Sequence, residues 1–199
     1  MKKSTINQVR MTFLIVTFFT LFSLTAKCQK TYTLPKGYQT KDVNGEVGAR
    51  IEEDFDNDGI TDLAIICFKD DGSDPIAVVF LSTKYLVNGI YSWFPWQHMI
   101  NDFDYKNQTL ILSGTDMGRY GTTLKLKYYA NLKNMKLIGY ENNYLGDSEN
   151  YGAYDVSINL NTGEYQVNGG EMKKINIDLI TLSNIEKYFD YLSQVGGNN

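Results

Sequence analysis

Histidine, cysteine and proline are nearly missing from this sequence, and each shortage removes a class of explanation. Among 199 residues there are one histidine, two cysteines and three prolines. A zinc site would need more His and Cys ligands than the chain supplies. No G-x-S-x-G turn is present to expose a hydrolase serine. The single histidine, His98 in YSWFPWQHMI, is therefore read as a partly buried neighbour of Trp96 rather than as a catalytic group. With few prolines and no low-complexity linker, nothing divides the chain, and one domain is expected. Helical periodicity is scarce as well.

A long hydrophobic run is also lacking. The longest, MTFLIVTFFTLFSL at residues 11–24, is short of the roughly 20 residues that a bilayer-spanning helix needs. Lys2, Lys3 and Arg10 precede it, and Ala26 and Cys28 place small residues three positions and one position before Gln29. A basic start, a short apolar stretch and a small-x-small site describe a secretory signal peptide over residues 1–28, with residues 29–199 exported to the periplasm or the cell exterior. An uncleaved anchor is the bland alternative. Cys28 invites a lipoprotein reading, but Lys27 stands where such signals carry a small residue, so cleavage before Gln29 is favoured. Only Cys67, inside LAIICF, would then remain, as a buried reduced thiol without a disulfide partner.

Positive charge is in short supply. The chain has 19 basic and 23 acidic residues, and residues 1–28 hold four basic and no acidic ones, which leaves 15 against 23, a formal charge of −8. That is the wrong sign for neutralising phosphates, so nucleic acid is not an expected partner. It suits an exported protein that attracts cations.

What the chain has in quantity is alternation. TTLKLKYYANL sets Leu124, Leu126 and Tyr128 on one face and Lys125 and Lys127 on the other, as a half-buried strand requires. DVSINL runs through Asn161-Thr162-Gly163 into EYQV, a β-hairpin with its glycine in the left-handed position. QTLILSG, MKLIGYE and KINIDLI read as further short strands, and DLAIICF and IAVVFLS as central strands covered on both faces. Ser183-Asn184-Ile185-Glu186 reads as a capping box opening one helix, about 184–193, with Ile185, Phe189 and Leu192 on one face. The expected fold is mainly β: an antiparallel sheet, sandwich or open barrel, with one short C-terminal helix.

The densest charge falls in DFDNDGITD, residues 54–62. Counted from Asp54, acids stand at places one, three, five and nine, glycine at six, and the Ile60 carbonyl at seven. Calcium takes six to eight hard oxygens, and alternate side chains of a tight loop can converge on one point. Glycine at place six permits the reversal that a Cβ would resist. Place twelve, where an EF-hand carries a bidentate glutamate, is Ile65, so two flanking helices are not expected. Asp-rich turns also form without metal, because aspartate caps its own backbone. Four acids at this spacing, however, repel one another until a cation relieves them. Magnesium fits less well, being smaller and strictly octahedral.

Acid-x-acid-x-acid-Gly-x-x-Asp followed by LAII resembles the calcium loop of FG-GAP and VCBS repeats. That resemblance covers residues 50–68 and implies side-chain ligands at Asp54, Asp56, Asp58 and Asp62 and a main-chain ligand at Ile60. It also implies a loop lying between two strands, with DLAIICF leaving the site. Such units come in series, whereas one acidic loop is found here, and a closed propeller needs at least four blades of about 40–50 residues. LIGYE and INLNTGEY are similar to segments of exported bacterial proteins that carry one such loop.

Two other features carry weaker chemistry. Asp102, Asp104, Asp116 and Glu141 could supply the paired carboxylates of a glycoside hydrolase. Tyr91, Trp93, Phe94 and Trp96, around Pro95, suit either a stacking platform for sugars or core packing, and packing is favoured. The expectation is an exported calcium-binding β protein, a non-catalytic binding or interaction module for a glycan or protein ligand. The alternatives are a carbohydrate hydrolase and an immunity-type inhibitor of a secreted toxin.

Overall fold

The computed structural model describes residues 32–71, 75–82, 86–91, 100–116, 120–146 and 152–195, with main chain only at 86–91, 116 and 120. The expected signal segment with Cys28, His98, and Trp93, Phe94 and Trp96 lie outside them, as do the side chains of Tyr91 and Asp116. Residues 33–199 form one compact unit, described here by itself.

Among the described residues, twelve strands form two antiparallel sheets. In the first, β1 (Tyr38–Gln39) and β2 (Arg50–Ile51) share one edge of β3 (Leu63–Lys69), followed by β4 (Ile76–Leu81) and β5 (Leu86–Tyr91). The second is a seven-stranded meander in strict chain order: β6 (Ile100–Lys106), β7 (Thr109–Asp116), β8 (Tyr120–Tyr129), β9 (Asn134–Tyr144), β10 (Tyr154–Asn159), β11 (Glu164–Val167) and β12 (Lys173–Lys174). Neighbours that follow each other in sequence need only short turns, and alternating faces then decide the register.

One apolar core joins the two sheets. Ala64, Ile66, Ala77, Val79 and Leu81 from the first meet Phe103, Leu112, Leu124, Leu126, Leu137, Tyr140, Val156 and Ile158 from the second. The arrangement is a β-sandwich, with ladders that match the alternation: Leu124 stands opposite Leu112 and Tyr140, and Tyr140 opposite Ile158. In β3 and β4 the opposite faces are buried too, through Ile65, Cys67, Ile76 and Val78, as their unbroken apolar runs imply. Burial pushes the Cys67 thiol up to about 11, so it stays protonated at neutral pH.

The 159–164 hairpin forms as its sequence predicts. Asn159 pairs with Glu164, and Gly163 has φ +65°, where an added Cβ would sit 2.9 Å from the Ile175 carbonyl oxygen. Two expectations need correction. KINIDLI contributes only Lys174 to the two-residue β12; Ile175 and Ile177 are half-buried against the core, but residues 175–180 form no strand. Alternation reports which face is buried, and it says nothing about whether a partner strand is within reach. The capping box does not form either. Ser183 Oγ accepts from Asn134 Nδ2 (2.7 Å), and Asn184 Oδ1 accepts from the Thr181 amide (2.7 Å). Those groups tie the chain to β9 and close the turn, so the helical segment follows Asn184 as its N-cap with no side-chain cap bond. A 3₁₀ turn (Ile185–Tyr188) leads into α1 (Phe189–Gln194), and Ile185, Phe189 and Leu192 are buried as expected.

Candidate metal centre

The acidic loop connects β2 to β3 and closes on itself at its base, where the Asp62 amide donates to the Glu53 carbonyl (2.8 Å). Between those residues the carboxylates organise the backbone. Asp54 Oδ1 accepts from the Asp58 amide (3.1 Å) and its Oδ2 from the Gly59 amide (2.9 Å). Asp58 Oδ1 accepts from the Ile60 amide (2.7 Å). Two residues take left-handed backbone, Asn57 at φ +59° and Gly59 at φ +82°. Both types tolerate that region, and glycine does so without steric cost.

This folding brings Asp54, Asp56 and Asp58 together. One carboxylate oxygen from each lies within 4.8 Å of the others, so the three could hold a metal ion. Oxygens bound at about 2.4 Å to one ion cannot be more than about 4.8 Å apart, and the cluster meets that limit. Asp56 is buried, Asp54 half-buried and Asp58 exposed. The Ile60 side chain is exposed, and its amide is fixed by Asp58.

Asp62 is outside that group of three. It is fully buried, its Oδ2 accepting from the Phe55 amide (2.8 Å) and its Oδ1 from the Ser82 amide (2.6 Å). Removal from water, with the charge of Asp56 added, pushes its carboxyl up to about 6, even though both amides act in the opposite direction.

Both sheets grip the loop. Phe55 is buried in the shared core and packs edge-on against Tyr105 of β6, with ring centroids 5.2 Å apart. The Tyr105 hydroxyl donates to the Asp54 carbonyl (3.1 Å). Its own ionisation is pushed up by burial and then by the charges of Asp54, Glu53 and Asp62. From the other sheet, Ser82, the residue after β4, donates its amide to Asp62 and its hydroxyl to Asp58 Oδ2. Sequence spacing reveals neither Tyr105 nor Ser82. Phe55, the one aromatic in the loop, is the signal that could have pointed to an anchor.

The other candidate carboxylates lie on strands of the second sheet. Asp102 and Asp104 are exposed on β6, each accepting from the amide of the next residue. Glu141 pairs with Lys125 across β8 and β9. Asp102 and Glu141 share a row through Ser113 and Thr123. Three strand spacings, about 14 Å, separate their backbones, whereas Asp102 and Asp104 stand two residues apart on one face of β6.

No helix among the described residues is long and apolar enough to cross a membrane. Comparison with protein-family models, with curated proteins and with solved structures finds no match to the chain.

Proposed function

We propose that this chain is an exported calcium-binding β protein in which the ion is structural, and that its task is to bind a glycan or protein partner rather than to catalyse a reaction. The observation that carries the metal reading is the convergence of Asp54, Asp56 and Asp58 in a loop anchored to both sheets. An all-oxygen ligand set suits a hard cation, and a loop without a dedicated octahedral cage suits calcium better than magnesium. Asp54, Asp56 and Asp58 would give side-chain oxygens and Ile60 its carbonyl, in the manner of FG-GAP and VCBS loops. Asp62 can join them, because a carboxylate oxygen that accepts one amide keeps a second lone pair.

The expected affinity is that of extracellular modules, about 10⁻⁵ to 10⁻³ M. The signal-peptide pattern at residues 1–28 supports export to the periplasm or beyond, where such an affinity is useful. Melting of the exported form tests this reading. Calcium at a hundredfold excess over its Kd should add about 2.7 kcal/mol, a rise of roughly 5–10 °C over the same protein in EDTA. Magnesium should give less. An unchanged melt would remove the support.

A further inference from the structure

We propose that Ser82 is a positioning residue for the cation, a group outside the acidic loop that fixes how its carboxylates meet the ion. The inference rests on the calcium reading above and extends it to a residue 20 positions beyond Asp62. Ser82 follows β4 directly and is 5% exposed, so its polar atoms must find partners within the protein. It uses them on two different acids, the amide on Asp62 Oδ1 (2.6 Å) and the hydroxyl on Asp58 Oδ2.

Asp58 is the exposed member of the converging three, and therefore the one with most freedom to swing into water. Its Oδ1 is held by the Ile60 amide, and Ser82 holds the other oxygen. With both oxygens engaged the carboxylate keeps one orientation, while each oxygen retains a lone pair for a metal. A hydroxyl that donates to a ligating carboxylate is an outer-sphere orienting group, and loss of such a group typically weakens metal binding by 10–100-fold. Tyr105 and Phe55 act differently: the first bonds a main-chain oxygen, and the second fills the core. The Ser82 hydroxyl reaches a candidate ligand itself, and it does so from a strand that the loop's sequence does not contain.

The test is calorimetric titration with calcium alone of the wild type, Ser82→Ala, Ser82→Thr, Asp58→Asn and the Ser82→Ala/Asp58→Asn double variant, with melts in EDTA alongside. Ser82→Ala should raise Kd about tenfold or more. Ser82→Thr, which keeps the hydroxyl, should restore binding. In the Asp58→Asn background the Ser82→Ala change should cost no further affinity, because the two groups act as one unit. That cycle decides the matter even if Ser82→Ala lowers the EDTA melt, since general destabilisation would add independently of Asp58. Equal Kd for wild type and Ser82→Ala, or additive losses in the cycle, would overturn the role of Ser82 and leave calcium binding intact. No calcium heat from the wild type would overturn both readings.

Discussion

The loop at 54–62 and the hairpin at 159–164 solve the same local problem with different chemistry. Each reverses the chain within a few residues, uses a left-handed glycine, and satisfies exposed amides with a side-chain oxygen. In the hairpin a neutral residue is enough: Asn159 Oδ1 accepts from the amides of Asn161 (3.0 Å) and Thr162 (3.2 Å). Asn168 and Asn184 cap the amides of Asp155 and Thr181 in the same way. Backbone capping therefore does not require charge, and the four aspartates of the acidic loop carry more of it than the turn needs. The surplus is what the proposed cation would neutralise.

The two kinds of carboxylate in the chain make the same point. Asp42 is alone in an exposed turn, and the amides of Glu46 and Asn44 hold its carboxyl below the usual range. Asp62 also accepts two amides, yet burial and the nearby Asp56 push it up. Equivalent hydrogen bonds thus sit in opposite electrostatic settings. A divalent ion would favour the charged form of the second and has no role at the first.

The largest expected effect separates buried capping from exposed capping. Asp62→Ala strips the acceptor from two buried amides, at about 1–3 kcal/mol each, whereas Asn159→Ala leaves its amides open to water and should cost about 1 kcal/mol or less. Urea unfolding of both variants in EDTA measures the difference; equal losses would mean that the Asp62 bonds are not holding the loop. A smaller effect distinguishes backbone from charge. Gly59 has φ +82° and nothing within 4 Å of an added Cβ, so Gly59→Ala should cost only the left-handed strain, about 1–2 kcal/mol. A much larger loss would show crowding that the loop geometry does not contain.

Much of the sandwich was legible because burial on one face leaves a period of two. Leu124 and Leu126 against Lys125 and Lys127, and the glycine of the 159–164 hairpin, are direct readings of that kind. The two-residue strands β1, β2 and β12 are too short to leave a period. The capping box failed because Ser183 is engaged by Asn134, a tertiary partner that local spacing cannot show, while Asn184 closes its own turn onto Thr181. Similarly, the converging acids were visible as a spacing of two within one loop. The shell around them was not, since Ser82 and Tyr105 arrive from other strands and only the folded register brings them to Asp58 and Asp54.

Calorimetric titration of calcium into the exported form, with Asp56→Asn as its pair, tests most directly whether the surplus charge exists for an ion. Asparagine keeps an oxygen at this buried position, so the EDTA melt of the variant should match or exceed that of the wild type. The wild type should bind one calcium with Kd between about 10⁻⁵ and 10⁻³ M, and the variant should lose most of that heat. A wild type that takes up no calcium, or an Asp56→Asn variant that binds it equally well, would contradict the account.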